Sequence, residues 1–252
     1  MSAAIWSEEA GPDGAPLIAL VHGSMDRSAG LLKLSRRLDD DHRVLRYDRR
    51  GYGRSAPHPG PFGMDGQVAD LVELLAGRPA VVFGHSYGGN VALAVAARHP
   101  ELVRAVGVYE SPLSWLDWWP RTTAGSGAVD EQGDPADAAE RFMRRMIGDE
   151  RWVHLPPGAR RARRTEGAAM IGELTDLTAN APWASDDIRA PALAIHGSLG
   201  AAHHGLSTAY LGDVLADVKV IEIDGARHFG PNTHPDAVAA EIRALIARAQ
   251  GF

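Results

Sequence analysis

A serine, a histidine and a carboxylate in this chain are spaced so that together they could carry out acyl transfer. Ser86 sits in Gly84-His85-Ser86-Tyr87-Gly88, between the apolar run Val81-Val82-Phe83 and an alanine-rich stretch from Val91 to Arg98. The run reads as a buried strand and the stretch as a helix. That is the strand–turn–helix context in which a G-x-S-x-G serine serves as a nucleophile. The flanking glycines keep side chains out of a tight turn and let the serine take a strained backbone geometry. The helix that follows aims its N–H groups at an oxygen that gains charge, so the backbone N–H of Tyr87 is a candidate oxyanion donor. Small residues at such a turn could also serve close packing alone.

A serine hydroxyl needs a base to take its proton and an acid to orient that base. Of eleven histidines, His228 alone lies just after the final apolar strand, Val218 to Ile223, in a loop flanked by Gly225 and Gly230. His85 reads as structural or pocket-lining, and His203 and His204 as loop residues that could lie on the surface. The stretch 196–205, after the strand Ala190 to Ile195, contains no carboxylate. Glu110 closes the strand Leu102 to Tyr109, and parallel strands end along one rim, so Glu110 can reach the His228 loop. It could instead brace a loop; Asp117 and Asp224 are weaker candidates for the acid. A second oxyanion donor is the backbone N–H of Ser24, which follows the strand Pro16 to Val21 through His22-Gly23. The His22 ring could brace that loop or face the pocket.

These residues need a scaffold of alternating strands and helices. A short edge strand at Ala3 to Trp6 is expected, then strands at 16–21, 43–47, 81–83 and 102–109, with helices at 29–38, 66–76 and 91–98 between them. That order predicts a parallel sheet with right-handed crossovers. The polar turn Asp48 to Ser55 reads as structural, its charges bridging neighbouring loops. Residues 112–188 break the rhythm. They hold five of the six tryptophans (Trp115, Trp118, Trp119, Trp152, Trp183) and helical stretches at 136–147 and 160–175. Arg160, Arg161, Arg163 and Arg164 read as a solvated helix face. The strand–helix pattern resumes at Ala190 and ends in a helix from Pro235 to Ala249.

His22-Gly23, Asp48 to Ser55 and Gly84 to Gly89, in this order and spacing, resemble the α/β-hydrolase superfamily. The resemblance implies an α/β fold with a mostly parallel central sheet flanked by helices, formed by residues 1–111 and 189–252. It also implies a helical cap, residues 112–188, inserted before the next-to-last strand. The chain order nucleophile, acid, histidine fits His228 as the base. Most members carry the acid after the next-to-last strand, where Gly200 stands here. Zearalenone-type lactone hydrolases and some haloalkane dehalogenases place it at the strand end that Glu110 occupies. Dehalogenases and epoxide hydrolases use an aspartate nucleophile, which Ser86 replaces.

The expected activity is therefore metal-free serine hydrolysis of an ester or lactone, through an acyl-enzyme and with no cofactor. Carbon–carbon bond hydrolysis or perhydrolysis on the same residues is an alternative, as is a ligand-binding protein with little turnover. Among the tryptophans, Trp115, Trp118, Trp119 and Trp183 are candidates to line the pocket, which suggests a hydrophobic or aromatic small-molecule substrate. At 252 residues, 45% hydrophobic and 23% charged, the chain fits one larger α/β domain with a modest insertion. A net charge of -6 argues against nucleic acid as a partner, and the absence of cysteine removes disulfides and thiolate chemistry. No H-E-x-x-H-type metal spacing occurs. The N-terminus lacks a signal-peptide pattern and no segment suits a membrane, so a cytoplasmic location is expected.

Overall fold

The computed structural model describes residues 4–130 and 133–250. Its elements run β1 (Ser7–Ala10), β2 (Leu17–Val21), α1 (Leu32–Ser35), β3 (Arg43–Tyr47), α2 (Met64–Leu75), β4 (Ala80–His85), α3 (Tyr87–Arg98) and β5 (Val103–Tyr109). Helices α4 (Ala124–Asp130), α5 (Pro135–Ile147), α6 (Asp149–His154), α7 (Pro157–Thr165) and α8 (Gly167–Ala179) intervene. Then follow β6 (Ala192–Gly197), α9 (Ala202–Val214), β7 (Val218–Ile223), α10 (Gly230–Thr233) and α11 (Pro235–Gln250).

The seven strands form one sheet in the order β1-β3-β2-β4-β5-β6-β7, parallel except for the β1–β3 pair. The order reverses between β2 and β4, and ligands of open α/β sheets bind at the carboxyl ends of strands beside such a reversal. Side chains alternate along each strand, so β2 divides itself between two cores. Leu17, Ala19 and Val21 join Val68, Leu71, Val91 and Val95 on the face covered by α2 and α3. Ile18 and Leu20 join Leu34, Val238, Ile242 and Leu245 beneath α1 and α11. Phe142, Met170 and Leu177 of the intervening helices belong to the first of these cores. No helix among the described residues is long and apolar enough to cross a membrane.

Several boundaries differ from the sequence reading. The edge strand lies at Ser7–Ala10, not 3–6; Ala3 itself is outside the described residues. Glu8 and Glu9 carry this strand because Arg46 and Arg43 of β3 pair with them, so apolar residues are not needed there. The stretch 160–175 is two helices that break at Glu166, whose carboxylate accepts from Arg27 Nη2 and Gly53 N–H. No residue of α7 is fully buried, yet Arg163 donates to Met25 O and Arg164 pairs with Asp137 and Glu140, so these two of its arginines are tied to neighbours instead of solvated.

The polar turn after β3 fastens the intervening helices to the sheet. Arg49 and Glu173 of α8 are both fully buried and form a bidentate pair at 2.6 and 3.2 Å. The guanidinium lies 5.0 and 4.7 Å over the rings of Tyr52 and Tyr87, and Tyr52 Oη donates to Glu173. Arg49 also donates through Nε to His22 O and through its backbone N–H to His22 Nε2. Removing one partner of such a buried pair leaves an uncompensated charge. Glu173→Ala is therefore expected to destabilise by about 3–5 kcal/mol and to lower the melting temperature by roughly 10 °C. Thermal unfolding within about 2 °C of wild type would show that the pair contributes little.

Candidate functional site

Ser86 stands at the tip of β4, where the chain must turn sharply into α3. Its φ of 55° and ψ of −127° put a non-glycine residue in a sparsely populated region. The turn is possible because of its neighbours. A Cβ on Gly84 would fall 2.1 Å from Gly88 O, and one on Gly88 would fall 2.3 Å from Val21 O. Among the described residues, four non-glycine residues have positive φ, and three of them, Met25, Ser86 and Glu110, lie in the loops around this site. Strain is thus concentrated where β2, β4 and β5 end.

The loop after β2 presses directly on the serine. A Cβ on Gly23 would stand 2.9 Å from Ser86 Cβ, so only glycine lets Ser24 follow so closely. His22 holds this loop from behind, accepting from Arg49 N–H on Nε2 and donating from Nδ1 to its own neighbour's carbonyl, Gly23 O. It is fully buried and braces the loop instead of lining the pocket.

His228 and Glu110 meet across the rim. Glu110 Oε2 accepts from His228 Nδ1 at 2.7 Å, and Oε1 accepts from Gly197 N–H at 3.0 Å. Burial pushes the Glu110 carboxyl up, but the His228 hydrogen bond and the Gly197 N–H outweigh it and hold it at about 2. The carboxylate is ionised at any working pH and can stabilise an imidazolium. Asp117 and Asp224 are exposed, and Asp224 accepts instead from Ser198 Oγ. With Nδ1 engaged, Nε2 of His228 is the nitrogen left to accept a proton. Ser86 and His228 line two cavities in common, of about 90 and 130 Å³.

Other histidines surround this pair. His85 Nε2 donates to His228 O at 2.7 Å, and its ring centroid lies 4.8 Å from that of His228. It also lines the 130 Å³ cavity. His203 and His204 are not surface loop residues: they occupy the first turn of α9 and line the 90 Å³ cavity. The spacing of Ser207, Thr208, Leu211 and Leu215 was the available signal for this helix, since these residues are its buried face and end.

His85 and His204 are uncharged in the fold. Burial first, then neighbouring His228, pushes His85 down to about 3 and His204 down to about 2. In the unfolded chain both take up protons near the ordinary histidine value of about 6.5. The unfolded state thus binds more protons below that value, so stability is full above about pH 6.5 and is lost as the pH falls toward the folded values. The melting temperature is expected to drop between about pH 6.5 and pH 4.5, before unfolded glutamates titrate. The decline should be shallower in His204→Phe; an unchanged slope would remove His204 from this account.

The tryptophans divide by position. Trp119 is buried, stands edge-on to His203 at 4.9 Å and lines the 90 Å³ cavity with Phe142, Met146 and Leu174. Trp118 is 40% exposed and lies beside Trp119 and Tyr210, outside both cavities. Trp115 and Trp183 pack edge-to-face at 5.4 Å, and Trp183 Nε1 donates to Asn90, whose amide donates to Pro112 O. Those two rings anchor the start and end of the intervening segment to α3, a packing role rather than a pocket role. Trp152 is core, with Nε1 donating to Glu140. Pocket residues that the sequence reading did not single out include Ser114, Thr123, Phe142, Met146, Leu174 and Thr178.

A reversed-order parallel sheet with a strained serine between β4 and α3 defines an α/β hydrolase. The profile of the alpha/beta hydrolase family matches residues 18–241, and the chain belongs to that family. It is similar to the lipase LipV of Mycobacterium tuberculosis, with 30% identity over 262 aligned positions, 94% of this chain and 95% of that protein. It is also similar to the 2-(acetamidomethylene)succinate hydrolase of Mesorhizobium japonicum, with 26% identity over 249 positions, 92% of this chain and 88% of that protein. The enol-lactonase of Burkholderia xenovorans shares the fold, with a TM-score of 0.73 and 24% identity, covering 96% of each chain.

Proposed function

We propose that the chain is a serine hydrolase that cleaves an ester or lactone of a hydrophobic or aromatic small molecule. The observation that carries this reading is the 2.7 Å hydrogen bond from His228 to an ionised Glu110, at a cavity that Ser86 also lines. Ser86 Oγ attacks the carbonyl carbon while His228 Nε2 takes its proton. Backbone N–H groups of Tyr87 and Ser24 hold the tetrahedral oxyanion. As the ester C–O bond breaks, Nε2 returns the proton to the leaving alkoxide, and an acyl-enzyme remains. Water then attacks with His228 again as base, which releases the acid and restores Ser86. No step requires a metal or cofactor. The stretch after β6 has no carboxylate, and Glu110 supplies one to His228 from the end of β5, which speaks for turnover over binding alone.

The intervening helices act as a cap that shapes the acyl pocket. Its walls are Trp119, Phe142, Met146 and Leu174, with the hydroxyls of Ser114, Thr123 and Thr178 among them. Among the described residues no lysine or arginine lines this 90 Å³ cavity, and Arg163 of the adjoining 130 Å³ cavity is already engaged by Met25 O and Glu166, which favours a neutral acyl group over a dicarboxylate like the one named for the Mesorhizobium relative. A lipase and an enol-lactonase among the similar proteins support cleavage of an ester or lactone.

The test is a panel of p-nitrophenyl esters of increasing chain length. Trp119→Ala is expected to shift preference toward bulkier acyl groups, by about 10-fold or more in relative kcat/KM, because one or two methylenes in an apolar pocket carry about 1–3 kcal/mol. Trp118→Ala, outside the cavity, should leave the preference within about threefold of wild type. Identical preference profiles for wild type and Trp119→Ala would remove Trp119 from the acyl pocket, and no turnover of any ester would sink the reading itself.

A further inference from the structure

The carboxylate oxygen that accepts from His228 has a second imidazole beside it. His204 Nε2 lies 3.5 Å from Glu110 Oε2, and the rings of His204 and His228 stack at 4.8 Å with 19° between their planes. Glu110, His204 and His228 each offer a ligand atom, and these atoms lie within 4.8 Å of one another; no second group of this kind occurs among the described residues. Acyl transfer gives His204 no task, and its own hydrogen bonding is incomplete. Nδ1 is buried without a partner, and Nε2 has only its long approach to Glu110.

We propose that Glu110 Oε2, His204 Nε2 and His228 Nδ1 form a binding site for a borderline-soft divalent cation, best fitted by Zn²⁺, whose occupancy switches the hydrolase off. The switching half rests on the function proposed above; the site itself does not. Two imidazoles and one carboxylate with an open fourth position are a ligand set that zinc takes, at about 2.0–2.2 Å per ligand. Donor atoms on such a tetrahedral ion stand about 3.4 Å apart, so Nδ1 and Oε2 must separate by about 0.7 Å while the two histidines close in. The two rings also stack nearly parallel, with 19° between their planes, so each must turn out of the stack until its nitrogen lone pair points at the shared ion, a rotation that broad χ2 wells permit. His203, His204 and His228 all border the 90 Å³ cavity, which leaves room for a water as fourth ligand. Mg²⁺ and Ca²⁺ prefer oxygen ligands and do not fit.

Occupancy removes the base by a change of tautomer. In the free site the His228 proton is on Nδ1, donated to Glu110, and Nε2 is open to Ser86. Zinc needs the Nδ1 lone pair, so the proton moves to Nε2 and nothing is lost to solvent. Nε2 then cannot accept from Ser86 Oγ, and Glu110 is spent on the metal.

The experiment uses the full chain stripped with a chelator, a fluorophosphonate that reports Ser86 reactivity, and calorimetric titration with ZnCl₂. One zinc per chain is expected, with labelling of the zinc-bound form suppressed by about 10⁴, the loss that follows when a serine triad's histidine holds the wrong tautomer. Chelator should restore labelling, and MgCl₂ should have no effect. His204→Phe keeps the stacked ring but removes the ligand. It is expected to bind zinc at least about 100-fold more weakly and, relative to its own zinc-free rate, to label undiminished. Wild-type zinc affinity in His204→Phe, and in His204→Leu should the first variant fail to fold, overturns the site. Stoichiometric binding that His204→Phe abolishes but that leaves labelling untouched overturns the switch. A stripped chain that never labels speaks against the serine hydrolase reading, while calorimetry still decides whether the metal site exists.

Discussion

Replacing Ser86 with alanine is expected to lower turnover of p-nitrophenyl butyrate by about 10⁶, the size of loss seen when the nucleophile is removed from a serine protease. The size follows from how the residues act as a unit. Without Oγ there is nothing for His228 to deprotonate that is held against the carbonyl, so base and acid become idle together. What remains is the oxyanion donors and the binding pocket, worth about 10³–10⁴ over the reaction in water. The fold should survive, because alanine carries the same Cβ into the same strained turn; the close contacts there are made by Gly84, Gly88 and Gly23, not by the hydroxyl. Labelling by a fluorophosphonate should vanish with the activity. Wild-type turnover with unchanged circular dichroism would mean that another group attacks the substrate.

How far the residues announce this site depends on whether their function is local. The turn at Ser86 was legible because its glycine spacing is local: a Cβ on Gly84 would meet Gly88 O within the same five residues. A mostly parallel sheet was legible from strands alternating with helices along the chain, and all the proposed catalytic residues follow strand ends that a parallel sheet must bring to one rim. The segment proposed as a cap was a different matter. Trp115, Trp118, Trp119 and Trp183 look alike in sequence, yet one lines the cavity, two anchor the segment to α3 and one faces solvent. Which ring turns inward is set by helix packing across more than sixty residues, and no short-range pattern encodes it. His203 and His204 were misplaced for the same reason: the helix that aims them at His228 begins in a glycine- and histidine-rich stretch that reads as loop. The buried Arg49–Glu173 pair joins residues 124 positions apart, beyond the reach of any spacing rule.

Glu110→Gln is expected to lower kcat by about 10⁴ with KM little changed, because the variant keeps the shape and loses only the charge and the acceptor. The glutamate has two duties, accepting from Gly197 N–H on Oε1 and from His228 Nδ1 on Oε2. A glutamine has one oxygen and cannot do both. If that oxygen stays on Gly197, the amide NH₂ faces Nδ1–H and drives His228 to the tautomer that cannot accept from Ser86. Should the amide flip, Gly197 loses its acceptor and the imidazolium formed during attack still lacks a counter-charge. Gly200 explains why the acid does not also come from the commoner place: a Cβ there would fall 2.7 Å from Glu110 Oε1. The two acid positions compete for one space, so a carboxylate at 200 should be accommodated only when residue 110 is cut back. Gly200→Asp added to Glu110→Ala is expected to recover part of the lost turnover, whereas added to wild type it should be harmful. The deciding measurement is kcat of Glu110→Gln itself. A value within about threefold of wild type is too small for loss of an orienting carboxylate and would place the acid elsewhere.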